Sequence, residues 1–149
     1  MEVRPNDVYV FSYPRSGTTW TQELVWLVAN DLDYERALKI PLTERYPFLE
    51  YQKILENVKE DEAKLKMTKA VFKSGIELAN EMASPRFIKT HLPLSLLPPN
   101  VLETKMLYVA RDPRDAVVSY YHLINSMNIS PFVLDFKKFW HSFIHNYRK

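Results

Sequence analysis

Between Asp7 and Asn30 the chain changes its hydrophobic period once, around one of the only two glycines it contains. Asp7-Val8-Tyr9-Val10-Phe11-Ser12 is a β-branched and aromatic run suited to a buried strand. Tyr13-Pro14-Arg15-Ser16-Gly17-Thr18-Thr19 carries turn residues, and Thr18 to Asn30 sets Trp20, Leu24, Leu27 and Val28 at helical spacing. A strand passing through a tight loop straight into a helix aims the backbone N–H groups from Ser16 to Thr19 at one point, where an anion fits. Arg15 adds a fixed charge and a donor fork there, and the Ser16, Thr18 and Thr19 hydroxyls add neutral donors. An ordinary strand-to-helix turn with a capping hydroxyl has the same local composition, so the loop alone leaves the two readings open.

The pattern recurs downstream. Arg86-Phe87-Ile88-Lys89-Thr90 and Lys105-Met106-Leu107-Tyr108-Val109-Ala110 are two further short strands, each ending in polar residues. After the latter, Asp112 caps a helix that begins at Pro113, carries Asp115 in its first turn and buries Ala116, Val117, Tyr120, Leu123 and Ile124. A last helix from about Asp135 to Tyr147 buries Phe136, Phe139, Trp140 and Phe143. Residues 31–52, with Pro41 and Pro47 among aromatics, read as irregular backbone whose Tyr46, Phe48, Leu49 and Tyr51 offer an apolar pocket wall. Lys53 to Met82 suits two short amphipathic helices with a solvated charged face, a reading Gly75 weakens. Strands alternating with helices imply a parallel α/β sheet with ligands beyond the carboxyl ends of its strands, and every notable motif lies there.

Composition narrows the chemistry. With 149 residues, 46% of them hydrophobic, and no internal repeat or linker, the chain reads as one soluble globular domain over residues 1–149. The absence of cysteine excludes disulfides, thiolate metal sites and cysteine nucleophiles, and suits a reducing, cytoplasmic location. The longest apolar stretch, Leu24 to Ala29, falls far short of the roughly 20 residues of a membrane helix, and no signal segment is visible. A net charge of +2 implies no nucleic-acid partner, yet it tolerates a small anionic ligand. His141 and His145 share a helical face but lack a third ligand, so no metal is assigned.

The loop departs from the Walker A pattern, because Ser12 stands at its first glycine and Thr18 at its lysine. Tyr13-Pro14-Arg15-Ser16-Gly17-Thr18-Thr19-Trp20 instead resembles the phosphosulfate loop of the cytosolic sulfotransferases, usually Tyr-Pro-Lys-Ser-Gly-Thr-Thr-Trp. Pro85-Arg86-Phe87-Ile88-Lys89-Thr90-His91-Leu92-Pro93 resembles that family's segment bearing the catalytic histidine. Tyr108 to Tyr121, with Arg111-Asp112-Pro113-Arg114-Asp115, resembles its 3′-phosphate segment. Three such segments in the family's order extend the likeness over nearly the whole chain.

The resemblance implies a P-loop-like parallel sheet flanked by helices and a sulfuryl donor, 3′-phosphoadenosine 5′-phosphosulfate (PAPS), used without a metal. His91 takes the position of the catalytic base for a hydroxyl acceptor, chemistry that an imidazole titrating near neutrality suits. Lys89, two residues earlier and so on the same strand face, corresponds to the lysine near the transferred group. Arg15 replaces the usual lysine; guanidinium hardly deprotonates, so an electrostatic clamp is expected rather than a general acid. Arg15, Ser16, Gly17, Thr18 and Thr19 would bind the phosphosulfate end, Trp20 would stack on adenine, and Arg111 and Ser119 would hold the 3′-phosphate, with Arg114 the less favoured cation. The partner implied is a small phenol, alcohol or steroid-like hydroxyl compound, and homodimer formation is left open. The family's later Arg-Lys-Gly-x-x-Gly-Asp-Trp segment is absent, so the expectation is an incomplete sulfotransferase domain truncated at its C-terminus. Rival expectations are an inactive fragment or nucleotide-binding module and, against the loop pattern, a P-loop phosphotransferase using ATP and Mg²⁺.

Overall fold

A computed structural model describes residues 1–51, 74–126 and 135–145 of the chain. Its centre is a parallel three-stranded sheet in the order β2-β1-β3, with β1 at Val8–Ser12, β2 at Phe87–Thr90 and β3 at Lys105–Val109. The registers pair Phe11 with Thr90 on one side and Ser12 with Val109 on the other, so all three strands end at one edge of the sheet. β1 is buried along its whole length, as a central strand of an α/β layer should be.

Helix α1, Thr18–Ala29, follows β1, and two short helices, α2 at Tyr34–Lys39 and α3 at Leu42–Arg45, lie where irregular backbone was expected. Asp33 caps α2 by accepting the Arg36 N–H, a local signal outweighed in the sequence by the nearby prolines. Tyr46 does not face a pocket: it is buried in the core against Phe87, Val8, Val10 and Trp26. Helix α4, Gly75–Glu81, opens on a capping box between Ser74 and Glu77. The rest of the amphipathic stretch, residues 53–73, lies outside the described residues. Helices α5, Pro113–Ser126, and α6, Phe136–Ile144, pack on one another beyond β3. In α6 Phe139 is buried, whereas Phe136 and Trp140 remain partly exposed, contrary to expectation.

The apolar stripe expected on α1 points the wrong way. Thr18, Gln22 and Trp26 form its buried face, Leu27 is half-buried, and Trp20, Leu24 and Val28 face outward among the described residues. The rotation is set at the first turn, where the Thr18 hydroxyl lies 2.6 Å from the Ser12 hydroxyl and pins that face to the end of β1.

A buried ion pair ties the strand entrances together. Arg86 donates from Nε and one terminal nitrogen to the two Asp7 carboxylate oxygens at 2.8 and 2.6 Å, with the remaining contacts to the Ala79 and Glu2 carbonyls. Both side chains are fully buried, so each charge depends on the other.

Candidate functional site

The site grows from the carboxyl ends of β1, β2 and β3, where three connections meet. After β1, Arg15 at φ 69° and Gly17 at φ 100° reverse the chain, the second a conformation that suits glycine. The first bond of α1 runs from the Thr21 N–H to the Gly17 carbonyl, so the amides of Thr18, Thr19 and Trp20 precede the helix's own ladder and point off its end. Ser16 differs from expectation, since its N–H already donates to the Tyr13 carbonyl at 3.2 Å. The Thr18 hydroxyl lies 2.6 Å from the Ser12 hydroxyl, and where Ser12 donates, Thr18 keeps its own hydrogen for an anion.

Two cations converge on this loop. Arg15 Nε donates to the Ser119 hydroxyl of α5 at 2.9 Å, and Arg111, just beyond β3, donates to the Arg15 carbonyl at 3.0 Å. Residues Arg15, Arg111 and Ser119 are therefore brought together from two connections and helix α5, with both guanidinium groups exposed. Arg114 is engaged by Asp112, 2.6 Å away, whose carboxylate also caps α5 by accepting the Arg114 N–H. Thr19 and Trp20 lie at the exposed start of α1, with Trp20 86% accessible rather than packed in the core.

His91 is the first residue after β2. Its Nδ1 lies 2.8 Å from the Ser12 carbonyl oxygen, which can only accept, so Nδ1 carries the hydrogen and Nε2 presents its lone pair. Burial pushes the imidazole below its usual pKa, the Ser12 carbonyl opposes that shift, and the nearby Lys89 charge adds to it. The ring is thus neutral at pH 7, the form that accepts a proton. It shares a cavity of about 410 Å³ with Tyr13, Pro14, Leu92, Leu96, Tyr120 and Phe143. The imidazole and the Tyr13–Pro14 start of the loop therefore face a common space, which Arg15 to Thr19 do not line.

Lys89 is half-buried, with its ammonium 4.2 Å from the centre of the Phe48 ring, and it does not line that cavity. Burial lowers its pKa, and the Glu50 carboxylate opposes the change. Phe48 also meets the His91 ring edge-on at 5.2 Å, so this aromatic backs the pair rather than forming an acceptor wall. Leu49 lines a second, more apolar cavity of about 430 Å³, and Tyr51 leans on Phe48.

Sequence reasoning passed over two contacts. Ser12 was noticed only as a misfit to the Walker pattern, yet its carbonyl and hydroxyl both reach His91. Glu50, inside Pro47-Phe48-Leu49-Glu50-Tyr51, accepts the His91 N–H at 2.5 Å. A lone carboxylate within an aromatic segment was the one available sign. Among the described residues no cluster of three or more His, Cys, Asp or Glu is arranged to hold a metal ion, and no helix is long and apolar enough to cross a membrane.

Comparison with known proteins gives this geometry its kin. The profile of the sulfotransferase domain matches residues 5–148. Luciferin sulfotransferase of Photinus pyralis is 43% identical over 125 residues, which is 81% of this chain and 34% of that protein. Sulfotransferase 1C2 of Oryctolagus cuniculus is 35% identical over 145 residues, covering 96% of this chain and 44% of that one. A crystal structure of retinol dehydratase in complex with androsterone and the inactive cofactor PAP superposes with a TM-score of 0.80 at 42% identity, covering 99% of this chain and 48% of the other. The chain thus spans between a third and a half of the length of these relatives. With the profile covering nearly every residue, the chain belongs to the sulfotransferase family.

Proposed function

We propose that this chain carries the donor loop and proton acceptor of a PAPS-dependent sulfotransferase acting on a hydroxyl of a small, largely apolar molecule. The observation that carries the reading is the cavity shared by the imidazole and the Tyr13–Pro14 start of the loop, with Nδ1 held by Ser12. A neutral Nε2 so oriented takes the acceptor's hydroxyl proton as its oxygen bonds to sulfur. Bound PAPS supplies the sulfuryl group, and the sulfur–oxygen bond to its 5′-phosphate breaks to leave adenosine 3′,5′-bisphosphate.

The residues present fit that donor. Free amides at the start of α1 and the exposed Arg15 guanidinium suit the phosphosulfate end, while Arg111 and Ser119 suit a phosphate monoester. Arg15 acts as a permanent charge opposite the leaving phosphate, whereas Lys89, with its ammonium over Phe48 and outside the His91 cavity, is given no direct contact with the donor. Trp20, exposed beside the loop, is free to stack on a base. The acceptor space beside His91 is walled by Leu92, Leu96, Tyr120, Phe139 and Phe143, which favours an apolar or aromatic alcohol. Relatives named for luciferin, or bound to retinol and androsterone, support that class.

Calorimetric titration of adenosine 3′,5′-bisphosphate into the chain without added metal tests the donor assignment. Binding that Arg111→Ala weakens is expected; no binding by the folded chain overturns it. A Mg²⁺-dependent ATPase signal in its place would favour phosphoryl transfer.

A further inference from the structure

We propose that Glu50 is a positioning residue for the proton acceptor: its carboxylate holds the main chain of His91 so that the imidazole meets Ser12. The proposal rests on the reading of His91 as the base. The pairing of β1 with β2 ends at Phe11 and Thr90, so His91 lies one residue past the ladder. Its N–H is taken by Glu50 Oε1 at 2.5 Å, and the Thr90 hydroxyl lies beside the same carboxylate.

Glu50 is itself delivered in fixed register. The Lys89 N–H donates to the Pro47 carbonyl at 3.0 Å, and the Leu49 N–H donates to the Lys89 carbonyl at 3.2 Å, so residues 47–49 run along the outer edge of β2. Gly75 presses on this segment from behind: a Cβ there would lie 1.9 Å from the Phe48 carbonyl oxygen. His91 is consequently held at three points, by Glu50 at its amide, by Ser12 at Nδ1 and by Phe48 at the ring edge.

Stability does not explain a carboxylate here. Burial raises the Glu50 pKa against the His91 N–H, Thr90 and Lys89, and Oε2 is buried with no partner among the described residues. An amide side chain would still accept the His91 N–H while avoiding the cost of burying a charge. What the carboxylate retains is a strong, short acceptor at the one amide whose direction sets the imidazole.

The test is a nuclear magnetic resonance titration of histidine-labelled protein, with His91 assigned by the signal that His91→Ala removes from the four histidines. The charged groups facing the ring are Lys89 and Glu50, and Tyr13 and Tyr120 share its cavity. Burial and the Lys89 charge are expected to hold the His91 midpoint of the parent protein below the ordinary imidazole value. Glu50→Ala and Glu50→Gln both remove the carboxylate's charge, so their difference reports position: the alanine variant, whose ring loosens and gains solvent, is expected to titrate above the glutamine variant, which keeps an acceptor oxygen. Where transfer is measurable, Glu50→Ala lowers kcat by about a hundredfold with the KM for PAPS unchanged, and Glu50→Gln restores it. If Glu50→Ala does not fold, Glu50→Asp, one methylene too short, carries the same expectation. Equal His91 midpoints in the alanine and glutamine variants overturn the proposal, and so does an aspartate variant, which keeps the charge, whose midpoint matches the parent's. A midpoint shift in a protein that transfers no sulfate supports the positioning role while the proposed activity fails, so the two ideas are separable.

Discussion

The two flanks of β1 are built on opposite principles. On the β2 side, Phe87 and Ile88 are buried, a further segment covers the strand, and His91 has its amide, Nδ1 and ring edge all contacted by protein. On the β3 side, Met106, Leu107 and Tyr108 are exposed among the described residues, and Arg15 and Arg111 are held only by exposed contacts to Ser119 and to a carbonyl. The His91 imidazole is therefore held by three protein contacts, as its proposed role as base requires, whereas the cations are held by bonds that an anion readily replaces. On the proposed reading, the geometry that must be accurate is buried and the charge that would meet the donor is left in water.

The sharpest way to break this contrast is His91→Ala. It should lower sulfate transfer by about 10²–10⁴-fold while adenosine 3′,5′-bisphosphate binds as before in calorimetry. Equal losses in both would mean that the two flanks are not separable. Next, Arg86→Leu leaves Asp7 buried without its partner and should lower the stability measured by urea unfolding by about 3–5 kcal/mol. On the open flank, Arg111→Ala should weaken adenosine 3′,5′-bisphosphate by about ten- to a hundredfold, and raised salt should weaken the parent's binding in the same direction. The exposed Arg114→Ala, which breaks only an ion pair within its own helix turn, should leave both melting temperature and nucleotide affinity unchanged.

A pH profile sharpens the comparison further. Because burial holds the folded His91 pKa below 6.5, the acidic limb of kcat/KM should fall below 6.5. The unfolded chain binds that proton more readily, so folding stability rises with pH from the folded His91 pKa up to 6.5 and is level above it. An acidic limb above 6.5 would assign the base elsewhere.

The strand, the glycine-bearing loop and the helix after it were legible because each repeats its period within a few residues, and Asp112 announced the start of α5 by itself. The orientation of α1 was not legible. Trp20, Leu24 and Val28 make a better apolar stripe than Thr18, Gln22 and Trp26, but the hydroxyl contact between Thr18 and Ser12 sets which face meets the sheet. The role expected of Tyr46 failed for a related reason: apolar side chains suit a pocket and a core equally, and packing against Phe87 chose the core. Gly75 weakened a helix on propensity grounds, whereas in the fold it heads α4 where no side chain fits beneath Phe48.

Local order along the chain was enough to name an α/β layer and a strand–loop–helix turn, because these depend on residues a few positions apart; the histidine and arginine candidates came from the likeness of three ordered segments to a known family. Which imidazole nitrogen carries hydrogen, which arginine meets the loop and which carboxylate holds the histidine depend on contacts across 79, 96 and 41 residues. No periodicity encodes such pairings; they exist once three strands align their ends, and that alignment is the work of packing.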